Sequence, residues 1–526
     1  MKQQTLYIVC CFCYNMKKAV AIFIFLISFT NLFGQKYYSK MIDTYGEWET
    51  FTNLIKADPN YLEVFCDTRE LFASDSTRFS RMVLIKYDNN FDIINKTIIG
   101  KNFYNPTLPM FINILKNKFI YGLIDTTQNN LKYFICSYDS NLNIQNTIPI
   151  ILPNKNQITS PGNVYLNNNK LYFFCADYTT FVASKLKLSI QCTDTNGNLL
   201  WGKVFQDKRC LTINAVQTKD GNFILAGLKY YGESLGAQDS AFAWYAKVDT
   251  LGNILWEKDL VRGSPFLADD FWASNINGDI YLSGSLLAFS SNIPINLHSD
   301  SSYCTIAKID DKTGNIIWHK QLFTERRKIQ GLFSIIKQLQ YNKGSMYALI
   351  DNYASERENP RDLSQYVMLA KFDLQGNILW KRLFSNWYAS NRAYSLTALD
   401  DGFLICGDSK DSTHEKGDSD AWLIKTDTNG CIIPGCNSEV GIVQIINPEK
   451  VFTVYPNPAQ NEIKVSTENL NVKIESLAIY NMQGQLFKTV SKTTKINTED
   501  LANGNYLLII TTDKQQMAGK KFVVER

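Results

Sequence analysis

The segment DTNGNLLW, residues Asp194–Trp201, decides the fold because close copies of it recur along the chain. DTLGNILW ends at Trp256, DKTGNIIW at Trp318 and DLQGNILW at Trp380. A truncated copy, DTNGC, begins at Asp427, and two weaker copies come earlier. The Asp residues that open these seven turns, at intervals of 51 to 63 residues, are Asp88, Asp139, Asp194, Asp249, Asp310, Asp373 and Asp427. A period of this length indicates a repeat architecture.

Each turn lies between two apolar runs, as in KLSIQCTD before the turn at Asp194. Such runs on either side of a Gly-bearing turn predict a β-hairpin, since Gly readily adopts positive φ. A second turn signal upstream in each unit, such as DGNFILAG from Asp220, predicts another hairpin. Seven units of four short strands predict an all-β, seven-bladed β-propeller.

The two ends of the repeat predict how it closes. The last unit stops at Cys431 before its outer strand, and the segment YYSKMIDTYGEWETF from Tyr37 has the character of an outer strand. We therefore expect an N-terminal strand to complete the last blade. The predicted division is a propeller over 35–436, a linker over 437–450 and a small C-terminal β-sandwich over 451–526.

Three sets of residues share a place in the repeat. The tryptophans that end the turns are predicted to be core between blades rather than a ligand platform. The lysines two residues before the turn Asp are predicted to form solvated surface pairs, with a basic binding stripe as the alternative: Lys86, Lys247, Lys308, Lys371 and Lys425. Cys66, Cys175 and Cys406 are predicted to share one small packing position with Ala226 and Ser283.

The N-terminus has the layout of a secretory signal. From Met16, two Lys precede an apolar run over Ala19–Phe29, and small or polar residues surround Gly34. This predicts a signal peptide over 1–34, with Met16 as an alternative start. The run is shorter than the ~20 residues of a membrane span, so a retained anchor is the less favoured alternative and the mature chain is expected to lack a transmembrane segment.

Cysteine usage fits export. Removing the leader removes three of the twelve Cys, and an odd number remains, so they cannot all pair. In GCIIPGC, a Pro-Gly turn can bring two sulfurs together, which predicts a disulfide between Cys431 and Cys436.

Composition excludes several classes of function. The 54 basic and 50 acidic residues give a net charge of +4, which is too balanced for nucleic acid to be the expected partner. The only histidines are His298, His319 and His414, so a His-rich metal centre is not expected. The sequence lacks a G-x-S-x-G elbow, an H-E-x-x-H motif and a P-loop, and no catalytic residue or cofactor is assigned.

The C-terminal module resembles the type A sorting domain of the type IX secretion system of Bacteroidota. Four pieces carry the resemblance: YPNP over Tyr455–Pro458 with Glu462–Val465 behind it, IYNMQGQ over Ile479–Gln485, LANGNYLL over Leu501–Leu508, and the basic-aromatic end Lys520–Val524. The residues that match the shared pattern are Tyr455, Pro456, Asn457, Pro458, Gly484, Gly504, Tyr506 and Lys521. These residues also suit turns and a sandwich core.

This resemblance implies a route. It implies passage through the inner membrane into the periplasm, recognition by the type IX machinery, and release or attachment at the cell surface. The repeat region is similar to exported Bacteroidota propellers whose blades read D-x-x-G-N-x-x-W and end in NGC-x-x-PGC. That similarity implies no particular activity.

Long connections predict where a ligand binds. The turns within hairpins are short, so the longer loops collect on the opposite face, where binding sites commonly lie. Exposed aromatic and Arg residues of these segments are the candidates: Tyr230, Tyr231, Arg326, Arg327, Trp387, Tyr388 and Arg392. An acidic loop with Asp408, Asp411, Asp418 and Asp420 offers Ca²⁺ ligands, against the alternative of a solvated loop.

These features favour a monomeric, exported, non-catalytic binding or adhesion module for extracellular glycan or protein. The alternative is a hydrolase or lyase with opposed carboxylates in the propeller channel. A structural role in a surface layer is a third possibility. A buried carboxylate pair with a raised pKa in the channel favours the enzyme, and an aromatic-rimmed loop face without titrating pairs favours binding.

Overall fold

All regular elements of the described chain are β-strands. The computed structural model describes residues 38–42, 48–58, 61–71, 78–88, 92–99, 118–125, 130–150, 158–178, 187–205, 210–231, 240–260, 267–288, 301–326, 334–354, 364–385, 389–411, 419–432, 442–446, 452–466, 473–481, 485–513 and 516–526. The predicted signal peptide lies outside these residues. Within them, no helix has the length and apolarity that crossing a membrane requires.

Within the described residues, the strands of the repeat fall into seven antiparallel units, which we number in chain order. Unit 1 consists of β2 (Trp48–Asp58), β3 (Tyr61–Leu71), β4 (Arg78–Asp88) and β5 (Ile93–Ile99). Unit 2 has the described strands β6 (Lys118–Asp125), β7 (Asn130–Tyr138) and β8 (Ile144–Ile150). Its predicted first strand lies outside the described residues. Unit 3 consists of β9 (Ile158–Asn167), β10 (Lys170–Tyr178), β11 (Lys187–Asp194) and β12 (Leu199–Phe205).

Units 4 to 6 repeat the four-stranded pattern. Unit 4 consists of β13 (Cys210–Gln217), β14 (Phe223–Tyr231), β15 (Ser240–Val248) and β16 (Ile254–Asp259). Unit 5 consists of β17 (Leu267–Ile276), β18 (Asp279–Ala288), β19 (Ser301–Ile309) and β20 (Ile316–Arg326). Unit 6 consists of β21 (Ser334–Asn342), β22 (Ser345–Ala354), β23 (Ser364–Phe372) and β24 (Ile378–Ser385).

Unit 7 takes its outer strand from the opposite end of the chain. Its own strands are β25 (Ala389–Leu399), β26 (Gly402–Asp411) and β27 (Ser419–Asp427). β1 (Tyr38–Ile42) pairs antiparallel with β27, with Tyr38 opposite Lys425 and Ile42 opposite Ala421. The predicted pairing of an N-terminal strand with the last unit is confirmed.

The C-terminal strands form two further sheets. One contains β31 (Ile474–Asn481), β32 (Leu486–Ser491), β34 (Gly504–Thr512) and β35 (Gln516–Val524). The other contains β29 (Thr453–Tyr455), β30 (Glu462–Ser466) and β33 (Lys495–Asn497). They enclose a separate core with Ile463, Leu477, Leu508 and Phe522. The predicted linker contains a strand, β28 (Ile442–Ile446).

Hydrophobic clusters join each unit to the next. Units 1 and 2 share Leu84 and Phe119, and the pattern continues pairwise through units 6 and 7. Unit 7 also packs against unit 1, because Cys406 and Leu423 share a cluster with Val83 and Ile85. Alternate residues of a strand point to opposite faces of its sheet. The sheet of a unit therefore packs one face against the preceding unit and the other face against the following unit.

The repeated turn is held by its opening Asp. Asp194 Oδ1 accepts hydrogen bonds from the backbone N–H of Asn196 and Asn198, each at 2.9 Å. Its Oδ2 accepts one from Asn198 Nδ2 at 2.9 Å. The same bonds recur at Asp249 and Asp373. The hydrogen bonds from Asn198 have the largest effect in lowering the pKa of Asp194, and the one from Asn196 adds to it.

The tryptophans lie in the joints between units, as predicted. A Cβ built on Gly252 comes within 2.9 Å of Trp201, and Gly314, Gly376 and Gly430 meet the tryptophan of the preceding unit in the same way. Tyr281 makes an edge contact with Trp318 at 5.8 Å between ring centroids. Each Trp ring therefore covers a glycine of the next unit.

One of the predicted lysines departs clearly from a solvated surface pair. Lys247 is only 3% exposed and its Nζ lies 2.7 Å from Asp220 Oδ2 and 3.7 Å from Asp311. Burial by itself would raise the pKa of Asp220, but hydrogen bonds from Lys247, Thr218 and the backbone of Asn222, together with the charge of Lys247, lower it. Lys308 pairs with Asp279 at 2.8 Å and remains partly exposed. The prediction was wrong for Lys247 because the adjacent unit covers it.

The predicted grouping of cysteines was also wrong in register. Cys406 pairs across the sheet with Leu423 and Ala226 with Tyr245, each four residues before the turn Asp. Cys175 pairs with Ser189, which lies one residue further from its turn Asp, Asp194. That shift places Cys175 on the face toward unit 2 and Cys406 on the face toward unit 1. Neither thiol is in a disulfide and both are fully buried, as the packing interpretation expected.

Candidate functional site

The described structure places only part of the predicted binding set. Tyr230 and Tyr231 end β14 and Arg326 ends β20, so these three lie on strands rather than in loops. Their side chains, and all of Arg327, Trp387 and Tyr388, lie outside the described residues. Arg392 lies within β25 and is described in full.

Every described first strand of a unit carries a β-bulge. The register shifts between Phe51 and Asn53 in β2, at Gly162 in β9, between Leu211 and Asn214 in β13, between Ala268 and Asp270 in β17, between Ile336 and Gln338 in β21, and between Ala393 and Ser395 in β25. Bulges redirect side chains and are common beside binding sites. In units 6 and 7 the extra residues are Lys337 and Tyr394.

Lys337, Arg392 and Tyr394 are partly exposed among buried neighbours. Ile336 and Ala393, which directly precede Lys337 and Tyr394, are fully buried. The Arg392 guanidinium lies 5.9 Å from the centroid of the Tyr394 ring. First strands of adjacent units contact each other, and Gln338 of β21 bonds to the backbone of Leu396 in β25. The three side chains therefore belong to one sector, where the first strands of units 6 and 7 meet.

A buried carboxylate fixes Arg392. Nε of Arg392 donates to Asp408 Oδ1 at 3.0 Å, and Nη2 donates to Oδ2 at 2.5 Å. The Asp408 side chain is 1% exposed, whereas that of Arg392 is 37% exposed. A two-point pair of this kind sets the orientation of the guanidinium. The predicted loop position of Asp408 is wrong, because this residue lies within β26 and its carboxylate is buried against Arg392.

A second carboxylate lies behind this pair. Asp351 of β22 is 1% exposed and accepts a hydrogen bond from the backbone N–H of Ala393 at 2.9 Å. Burial, with a smaller contribution from the charge of Asp408, raises the pKa of Asp351 to about 7, against the opposing effects of the Lys337 charge, the Ala393 hydrogen bond and the Arg392 charge. At neutral pH this carboxyl is divided between its acid and its ionised form.

The two carboxylates occupy equivalent places in adjacent units. Asp351 pairs with Val367 and Asp408 pairs with Ala421, each six residues before the turn Asp of its unit. Asp67 pairs with Met82 at the same position of unit 1. Alignment of the second strands by this register is the sequence signal that identifies the set. The acidic residues that follow Asp408 in the chain conceal this signal, because they are typical of a loop.

The arrangement is suited to bind an anion. Two cationic side chains and a phenol ring are open to solvent in part, while Asp351 and Asp408 lie behind them. Asp408 orients Arg392, the charge of Lys337 acts on Asp351, and both acids are buried. An acidic group from outside therefore meets Lys337 and Arg392 first.

The sorting-domain residues lie mainly in turns and core of the C-terminal module. Asn457 Oδ1 accepts a hydrogen bond from the backbone N–H of Val523 at 2.8 Å, which ties the YPNP turn to the last strand. Tyr506 is 6% exposed and its hydroxyl donates to the backbone oxygen of Ala502 at 2.9 Å. Tyr455 is 47% exposed. Gly484 lies outside the described residues.

Cys431 is disulfide-bonded. Cys436 lies outside the described residues, so its pairing with Cys431 remains a prediction.

The fold and the C-terminal module define the class of protein: an exported all-β protein with a C-terminal sorting domain. Residues 453–525 match the family described as secretion system C-terminal sorting domain. The chain is thus a sorting-domain protein of the type IX secretion system, and it is destined for the cell surface or for secretion. Among curated proteins, none matches the chain.

Solved structures of similar shape are distant. A polysaccharide lyase of family PL25, an ulvan lyase, is 9% identical, with 75% of this chain and 97% of that chain covered and a TM-score of 0.42. A puromycin hydrolase is 9% identical over 91% of this chain and 63% of its own, with a TM-score of 0.44. A GH43 endo-arabinanase from Bacillus licheniformis is 12% identical over 53% and 98%, with a TM-score of 0.28.

Proposed function

We propose that the protein is an exported seven-bladed β-propeller that binds an acidic extracellular ligand, with 35–436 as propeller, 437–450 as linker and 451–526 as sorting domain. The observation that carries the binding function is the partly exposed Arg392, held from behind by the buried carboxylate of Asp408. The ligand class is a glycan that bears carboxylate or sulfate groups.

The packing of unit 7 against unit 1 supports the closed ring. The cluster of Cys406 and Leu423 with Val83 and Ile85 is the seventh of a pairwise series. β1 adds the fourth strand to unit 7, so the two ends of the repeat are held together by strand pairing. A closed ring suits binding because it gives neighbouring units fixed relative positions.

The choice of an acidic glycan rests on the mixture of side chains. Lys337 and Arg392 supply positive charge, and Arg is suited to planar two-point recognition of carboxylate or sulfate. Tyr394 adds a partly exposed aromatic ring beside the guanidinium. Tyrosine is common at recognition sites because it offers an apolar face and a polar tip.

Calorimetric titration of the full chain with polygalacturonate, against neutral dextran, tests this function. We expect binding of polygalacturonate to weaken at least tenfold in Arg392→Met and in Lys337→Met, and to fall with rising salt. Lys320→Met is the matched control, because Lys320 donates to Asn377 in a repeat turn. Equal affinity in all three variants, or a binding preference for dextran, would contradict the proposal.

A glycan-cleaving enzyme is the second candidate, and the Asp351–Asp408 pair is the observation in its favour. A carboxyl whose pKa is raised to about 7 can donate a proton at neutral pH. Its 1% exposure argues against direct contact with a substrate. New reducing ends or unsaturated products in the same titration mixtures would support the enzyme, and unchanged polymer length would support binding alone.

A further inference from the structure

The outer edge of unit 6 is covered by a strand from outside the repeat. β28 runs parallel to β24, with Lys381 opposite Ile442 and Ser385 opposite Ile446. On its other side, Gln444 of β28 pairs with Gln516 of β35. Unit 6, β28 and the larger C-terminal sheet therefore form one continuous hydrogen-bonded sheet.

β34 buries both of its faces. Leu508 and Ile510 belong to the core of the C-terminal module. Leu507 and Ile509 belong to the cluster that units 6 and 7 share, together with Met517 of β35. Because successive residues of a strand point to opposite faces, one face of β34 supports the module and the other contacts the repeat.

The repeat departs from its own pattern where this contact lies. In units 3 to 5, a lysine two residues after the tryptophan donates to an Asn of the next turn, as Lys203 does to Asn253 at 2.9 Å. In unit 6 the equivalent residue is Arg382, which is 3% exposed. In the next turn Cys431 replaces the Asn, and the buried Ile432 follows it.

We propose that this surface is a docking site for the sorting domain. We name it the tail seat and define it as β24, Cys431, Ile432 and β28. The C-terminal module and units 6 and 7 then unfold together as one cooperative unit. The sorting domain adopts its docked conformation only when the repeat is folded. Separation would expose Leu507, Ile509 and Met517 together with the edges of β24 and β35, and both kinds of surface are unfavourable in water.

Hydrogen exchange measured by mass spectrometry on the full chain tests the tail seat. In the native chain, we expect β34 and β35 to exchange as slowly as β23 and β24. Ile509→Gln places a polar group on the docked face and should speed exchange of β35 at least tenfold, without change in units 3 to 5. Thr489→Gln, on the exposed side of β32, is the matched control.

Gln444→Pro provides a second variant that leaves every residue of the tail core in place. It removes a backbone donor from β28 and should also speed exchange of β35 at least tenfold. If β35 exchanges by a fast route of its own in the native chain, and neither variant changes that rate, the tail is an independent domain and the tail seat is refuted.

Discussion

At the scale of single residues, Asp351 places a carboxyl group between two packed units. It is 1% exposed, and the described hydrogen bond to it comes from the backbone of Ala393. Burying an ionised carboxylate is unfavourable, so the acid form is retained to a higher pH than in water. Asp408 differs because it has Arg392 as a close partner, which stabilises its charge.

Asp351 makes stability depend on pH in a direction opposite to that of most carboxylates. Its pKa is about 7 when folded and about 3.9 when unfolded, so the folded state holds the proton more tightly between these values. The free energy of unfolding should therefore fall as pH rises from about 4 to about 7, by up to about 4 kcal/mol. Asp351→Asn cannot ionise and should lose this dependence.

Urea unfolding at several pH values, with wild type and Asp351→Asn side by side, measures the difference. The variant should gain on the wild type as pH rises. Two parallel curves across this range would mean that Asp351 ionises normally in the folded protein.

At the scale of elements, the joint between successive units is a complementary pair. Trp201 covers Gly252, and three further joints repeat the contact. Between units 1 and 2 both partners change together. Asn95 stands opposite Lys86 at the tryptophan position, and Leu142 takes the glycine position with φ +63° and no exposed surface. A smaller side chain on one unit thus accompanies a larger one on the next.

The complementarity predicts different costs for two glycine substitutions. Gly252 and Gly344 have φ of +76° and +83°, so alanine at either should cost about 1–2 kcal/mol in backbone strain. A Cβ at Gly252 also lies 2.9 Å from Trp201, whereas Gly344 has no atom within 4 Å of that point. Gly252→Ala should therefore lose about 1–3 kcal/mol more than Gly344→Ala. Chemical denaturation of the two variants compares them, and equal losses would contradict the joint.

At the scale of the whole molecule, the tail has two relations to the repeat. It carries the match to a sorting domain over residues 453–525. It also shares a cluster with units 6 and 7 through Leu507, Ile509 and Met517. The sorting domain and the repeat are therefore in contact, although each has a hydrophobic core of its own.

Deleting Val451–Arg526 should keep the repeat folded but hold the protein in the periplasm. We expect a loss of stability on the order of 1.5–3 kcal/mol for each large apolar side chain that loses its cover. Cell fractionation and protease treatment of intact cells locate the protein, with the full chain as control. Surface display of the shortened chain would contradict its dependence on the tail.

The sequence by itself determined the repeat, its turns, the pairing of the first strand with the last unit, and the address domain. Asp and Gly fix a turn within a few residues, spacing along the chain sets the number of units, and a last unit that lacks its outer strand predicts which distant segment completes it. Only the tertiary structure decided which faces meet. It buried Lys247, separated Cys175 from Cys406, brought Asp351 and Asp408 behind Arg392, and placed β28 on β24. The physical reason is that a shift of one residue turns a strand side chain to the opposite face, and contacts between distant segments form only when whole sheets pack.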